Sequence, residues 1–186
     1  SHVGMVFQQL NLFPHKTAIE NVMEGPVVVK GTGLSEARDL AIDLLNKVVL
    51  AEKADVYPSQ LSGGMSKRAS IIRALVYEPA VILMDEPFGP LDAQTRMILQ
   101  DELLKIWEQK RQTIVFVTHD LVEAVALADR VAVITHRPGQ VKDIIKVPMD
   151  RPRNIFEIHR QEGFDEAHAR LWNIFRHELK LQVDRD

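Results

Sequence analysis

Residues 61–92 read LSGGMSKRASIIRALVYEPAVILMDEPFGPLD, and the fold is read from the middle of that stretch. Ala80-Val81-Ile82-Leu83-Met84 is an apolar run without alternation, entered through Pro79. Such a run predicts a strand covered on both faces, as in the parallel sheet of an α/β protein. Asp85 and Glu86 follow at its carboxyl end, where open α/β sheets hold their ligands. Two adjacent acids are ordinarily a solvated strand end. Here they follow a buried run and precede Pro87 and Gly89, which turn the chain sharply. An acid so placed can hold Mg²⁺, directly or through water, in a phosphate-binding NTPase. The next acid can orient or deprotonate an attacking water.

Upstream, Leu61-Ser62-Gly63-Gly64 precedes a helical pattern with Ile71, Ile72, Leu75 and Val76 on one side. Ser62 alone reads as an N-cap before a flexible turn. Paired glycines also open backbone N–H groups at a helix end of partial positive charge, which suits an anion. The ordered set LSGG, an arginine-containing helix, VILMDEP and the Leu91-Asp92 turn resembles the ATP-binding subunit of an ABC transporter. In that resemblance Asp85 is the Walker B aspartate and Glu86 the catalytic glutamate. Ser62, Gly63 and Gly64 form the signature motif, and Asp92 is the D-loop aspartate.

The totals agree with one soluble-type domain. The 186 residues are 46% hydrophobic and 26% charged, an ordinary globular composition with room for a sizeable core. No apolar run approaches the roughly 20 residues of a membrane span, and the sequence opens on no signal-peptide pattern, so membrane association is expected through partners. A formal net charge of −3 speaks against a broadly basic nucleic-acid binder. The absence of cysteine removes disulfide and thiolate chemistry and fits the cytosol. The seven histidines lack zinc-ligand spacing.

In chain order, Val3–Phe7 predicts a short strand ending at Gln8-Gln9. A loop through Asn11, Pro14 and His15 follows, then a helix capped by Thr17 and broken at Gly25-Pro26. The wording GMVFQQLNLFPHKTAIENV resembles the family's Q-loop. By that resemblance Gln8 would contact Mg²⁺ or the attacking water, and the loop after it would face transmembrane subunits. From Ser35, the positions Leu40, Ala41, Leu44, Leu45 and Val48 predict an amphipathic helix. Residues of about 16–75 thus read as a helical insert, the helical subdomain of the resembled family. A helix from Asp92 to about Lys110 carries a Leu99, Leu103 and Ile106 stripe with Leu104 and Trp107 beside it. Thr113–Val117 reads as a second buried strand, with His119 just past its end. A lone histidine there is ordinarily structural, but a parallel sheet would bring this strand end beside Asp85 and Glu86. His119 matches the family's switch histidine, which contacts the γ-phosphate. A short helix over 121–128, a third strand over 130–134 and a half-exposed strand over 141–147 complete an α/β succession with right-handed crossovers. Residues 150–153 look like a linker. The last helix, with Phe164, Leu171, Ile174, Phe175 and Leu179 on one stripe, is expected to pack on the domain or a second subunit.

The fold class expected is therefore α/β, a P-loop NTPase-like parallel-sheet core with a helical subdomain. Residues 1–150 form a partial ABC ATPase domain and 151–186 a linker and amphipathic helix. A site of this kind also needs a phosphate cradle, Gly-x-x-x-x-Gly-Lys-Ser/Thr. The sequence contains no Gly-Lys pair, and Gly31-Thr32-Gly33 follows no buried strand. In the resembled family the cradle lies upstream of the Q-loop, so the chain reads as an N-terminally truncated fragment, inactive in isolation.

The resemblance implies ATP and Mg²⁺ as cofactors and a head-to-tail dimer with a second ATP-binding subunit. It also implies transmembrane permease subunits, with a solute-binding protein acting through them, a place on the cytoplasmic face of the membrane, and no nucleic acid. LSGGM, FGPLDAQTR, FVTHDLVEA and HRPGQV resemble the importer branch for nitrate, sulfonate and taurine. Two other readings are a soluble ABC-type ATPase of DNA repair or translation, and a non-catalytic interaction fragment. A basic groove or a second ATPase domain would favour the former, and neither is visible.

Overall fold

The computed structural model describes residues 3–7, 12–76, 79–89 and 91–183, with side chains to 176. The chain divides into two compact units, residues 1–117 and 118–186. In the first, β1 (Val3–Val6), β2 (Val81–Asp85) and β3 (Thr113–Val117) form a parallel sheet in the order β1-β2-β3. Val6 pairs with Met84, and Asp85 pairs with Val117. The apolar run around Ile82 and Met84 is thus the central strand, and both side chains are buried. The parallel α/β expectation holds.

β3 is a different matter. It was expected to be buried, yet its residues alternate and Val115 and Val117 are about half exposed. Among the described residues it stands at the end of the sheet order, with β2 as its neighbour.

Between β1 and β2 the regular structure among the described residues is helical. α1 (Ala18–Val28), α2 (Leu34–Lys47) and α3 (Gly63–Leu75) pack on one another, and α3 also packs on β1. Thr17 caps α1 in a reciprocal box with Glu20, satisfying two backbone donors at once. Asn21, fully buried, donates to the carbonyls of Phe13, Lys16 and Thr17 and accepts from Phe13 N–H, so the approach to α1 is fixed. The break expected at Gly25-Pro26 does not occur; α1 runs through both residues to Val28. Pro26 forfeits one helical hydrogen bond, but it stands in the last turn and is buried together with Gly25, so packing outweighs the local signal. α2 buries Ala41, Leu44 and Leu45 of the face read from spacing, with Val48 just past its end, leaves Leu40 half-buried, and also buries Ala37; it starts one residue early with no side-chain cap.

α3 closes on β1 at Gly4. A Cβ there would lie 2.9 Å from the Pro79 ring and 3.3 Å from the Ala74 carbonyl oxygen. α4 (Ala93–Lys110) follows β2 and connects it to the parallel strand β3, burying Leu99, Leu103, Leu104 and Ile106.

The second unit contains α5 (Leu121–Leu127), β4 (Arg130–Ile134), β5 (Val141–Lys146) and α6 (Phe164–Val183). β4 pairs antiparallel with β5 in a separate sheet of two. Its partner is the strand across the 135–140 turn, where Thr135 N–H meets the Gln140 carbonyl at 2.9 Å. The segment read as a linker is tied down. Arg153 is buried and donates to the carbonyls of Val125, Ala126, Ala128 and Met149, while Arg151 reaches Leu127 O and Asp129. Two guanidinium groups thereby satisfy carbonyls left open at the end of α5. A short 3-10 helix, Ile155–Arg160, precedes α6 and was not anticipated. No helix among the described residues is long and apolar enough to cross a membrane.

Lys67, on α3, is fully buried, and its ammonium donates to the Phe7 carbonyl at 2.8 Å. Burial pulls its pKa down to about 8. Between about pH 8 and 10.5 the unfolded chain keeps this proton while the folded chain has released it, so stability rises with pH across that window. Urea unfolding at pH 7.5 and pH 10 is expected to show wild type gaining on the order of 1–3 kcal/mol relative to Lys67→Met. An equal difference at both pH values counts against the buried charge.

Candidate functional site

Asp85 is the last residue of β2 and its side chain is exposed. Glu86 has left the strand with φ of +40°, a conformation uncommon in non-glycine residues. It is held there by the sheet and the turn. Its N–H donates to Val117 O at 2.9 Å, and its carbonyl accepts Gly89 N–H at 3.2 Å. The next residues anchor the turn: Phe88 is fully buried, its ring 5.7 Å from that of Phe116. Backbone strain kept by surrounding structure clusters at functional positions. The half-buried Glu86 carboxylate lies 3.6 Å from where a Gly89 Cβ would stand, an ordinary van der Waals contact.

Ser62 caps α3, its hydroxyl accepting Met65 N–H at 3.3 Å. Ser62 and Gly63 are exposed. The two glycines differ. A Cβ on Gly63 would meet open space, whereas one on Gly64 would stand 2.7 Å from the Thr95 methyl group. Thr95 lies in the first turn of α4, and its N–H is held by Asp92 Oδ1 at 2.9 Å. Asp92 is therefore the N-cap of α4, and the Thr95 backbone hydrogen bond, followed by that of its side chain, holds the Asp92 carboxyl below the usual carboxylate range. Arg96 closes the same turn through Leu91 O. The structure thus brings Ser62, Gly63, Gly64 and Asp92 into one cluster through Thr95. Sequence reading missed Thr95, because its only signal was its place three residues after a capping aspartate.

His119 lies in the second unit and is exposed. Its neighbours are fixed. Thr118 Oγ1 donates to Glu123 at 2.7 Å and accepts Asp120 N–H, while Asp120 caps α5 by accepting from Val122 and Glu123. Gln8, the expected Q-loop glutamine, lies outside the described residues, as does the Leu179 side chain.

Among the described residues no group of three or more His, Cys, Asp or Glu side chains could hold a metal. Mg²⁺ dehydrates reluctantly and is commonly held by one or two carboxylates together with substrate phosphates and water. An exposed Asp85 beside Glu86 fits a metal of that kind, arriving with a nucleotide.

A family model described as ABC transporter matches residues 1–89. The chain is 46% identical over 176 residues to an uncharacterised ABC transporter ATP-binding protein of Methanocaldococcus jannaschii, covering 95% of this chain but 64% of that protein. It is 38% identical over 180 residues to an aliphatic sulfonates import ATP-binding protein of Bacillus thuringiensis subsp. konkukian, covering 97% of this chain and 68% of that protein. Among solved structures, a dimeric ATP-binding cassette in a post-hydrolysis state, bound to ADP and Pi, matches with a TM-score of 0.66 at 37% identity. The match covers 78% of this chain and 63% of that chain.

The Gly64–Thr95 contact yields a paired test. Gly64→Ala is expected to lower stability by about 1–3 kcal/mol through overpacking, and Thr95→Ser, which removes the obstructing methyl group, to restore most of it. Gly63→Ala is expected to change stability by less than about 1 kcal/mol, since nothing crowds it. Equal losses for the two alanine variants in urea titrations would contradict this division.

Proposed function

The chain belongs to the ABC transporter family, and on that premise we propose that it is part of the ATP-hydrolysing subunit of an importer for a small solute. The observation that carries the proposal is Glu86, held at φ of +40° directly after a central, buried strand and beside an exposed Asp85. The phosphate cradle would be supplied by residues outside these 186, in keeping with the 64% of the first relative's length that the chain spans. Residues 1–150 would then be the greater part of the ATPase domain and 151–186 its terminal extension.

Two subunits pack head to tail, each ATP lying between one subunit's cradle and the other's Ser62-Gly63-Gly64. Open amides and a hydroxyl at the end of α3 complete the shell around the γ-phosphate, which is electrostatic positioning with little covalent chemistry. Asp85, with Gln8, would hold a Mg²⁺ entering with ATP, which would supply neutralisation of phosphate charge. Glu86 takes the proton of the attacking water, His119 contacts the γ-phosphate, and Asp92 reaches the shared interface. Permease subunits at the cytoplasmic face receive the motion, and a solute-binding protein acts through them. The solute class is sulfonate, nitrate or taurine-like, on the strength of LSGGM and the motifs after it together with the sulfonate-import relative.

In a subunit that includes the cradle, Glu86→Gln is expected to cut hydrolysis by 10²–10⁴-fold, the usual loss of a general base, and to accumulate an ATP-bound dimer in size-exclusion chromatography. Wild-type turnover in that variant would refute the assignment. The 186-residue chain alone is expected to bind ATP weakly. A steady rate from it, abolished by the same substitution, would show that no outside cradle is needed.

A further inference from the structure

α3 has an exposed end and a buried one. The exposed end is the turn Ser62-Gly63-Gly64; four residues on from Gly63 stands Lys67, no part of which reaches solvent. Its ammonium donates to the carbonyl of Phe7, the residue that leaves β1. Val6, just before, is in register with Met84, which directly precedes Asp85. One hydrogen bond therefore joins the helix that carries the signature turn to the edge of the sheet that carries the carboxylates. Two more cations of α3 hold its other neighbours. Arg68 donates to Val48 O at 2.9 Å, and Arg73 lies 4.3 Å from the centre of the Phe13 ring.

A wholly buried lysine is a costly way to pack a helix on a strand, since an apolar side chain of similar volume is commonly as stable. A charged hydrogen bond does something that apolar packing does not. It is short, directional and strong, so it fixes one position of the helix along the strand, where methylene contacts tolerate small slides. A slide of α3 would displace Ser62, Gly63 and Gly64 relative to Asp85 and Glu86. A misplacement of about 1 Å at reacting groups is enough to cost about a hundredfold in rate.

We propose that Lys67 is a positioning residue: it sets the reach of the signature turn relative to the carboxylate end of β2, and so links the two ATP sites of the head-to-tail dimer. Through Lys67, the strand end that serves a subunit's own ATP and the helix end that serves its partner's move as one body. This inference rests on the reading under Proposed function. It adds to that reading a residue that touches neither nucleotide.

The test uses the full-length subunit, cradle included. Lys67→Met is expected to fold, with a thermal midpoint within a few degrees of wild type, and to lower kcat at least tenfold while changing the KM for ATP less than about twofold. Added to Ser62→Ala, it is expected to cost less than a further twofold, because it acts through the turn that Ser62 belongs to. If Lys67→Met does not fold, Lys67→Gln serves, being neutral and shorter in reach; a fall in kcat of threefold or more at unchanged KM is expected. Wild-type kcat in a folded Met or Gln variant overturns the inference, as does full additivity with Ser62→Ala, or a loss explained by a lower folded fraction. Absence of any hydrolysis dependent on Glu86 in the wild-type subunit sinks the underlying reading and this inference with it. Glu86-dependent hydrolysis with indifferent Lys67 variants sinks the inference alone.

Discussion

The first unit depends on β2 being paired on both sides. A strand with a neighbour along each edge has no freedom of register, and a one-residue slip would turn Ile82 and Met84 out of the core. That constraint reaches beyond the strand. Because Asp85 lies opposite Val117, the N–H of Glu86 falls within reach of the Val117 carbonyl. The strained backbone at Glu86 is bearable because it is caught between a ladder that cannot slip and a turn whose Phe88 is fully buried. The carboxylates are thus held by the sheet's rigidity together with the turn that follows it.

The turn Ser62-Gly63-Gly64 meets the start of α4 through the contact of Gly64 with Thr95. Ser62 caps α3, Asp92 caps α4, and both would be retained for helix stability alone. What distinguishes the turn is the asymmetry between its glycines. Gly64 is needed because Thr95 approaches within the space of a methyl group, whereas the fold makes no such demand of Gly63. A glycine required by its own fold and one left open to solvent, side by side, suit a turn that packs inward and meets a ligand outward.

Much of this was legible from the amino acids. The apolar run before Asp85, the caps at Thr17 and Ser62, and the extent of α4 follow from local chemistry, which needs few residues and no neighbours. The misreadings share a cause. Pro26 reads as a breaker until its burial in the last turn of α1 is known. Thr113–Val117 reads as buried by composition, yet a strand at the end of the sheet is half covered. Residues 150–153 read as a linker, though three carbonyls at the end of α5 and that of Met149 draw Arg153 inside. In each case a neighbour distant in sequence decided the environment.

The sequence by itself determined the family and the α/β class and named candidate site residues, because ordered motifs and hydrophobic period are properties of short stretches. Tertiary structure alone decided the positive φ of Glu86, the contact between Gly64 and Thr95, and the burial of Lys67 against Phe7. Lys67 and Phe7 are separated by 60 positions, and no local pattern marks a lysine as buried. Only the closing of α3 onto β1 takes that ammonium out of water and gives it a carbonyl to hold, and with it a bearing on the carboxylates at the end of β2.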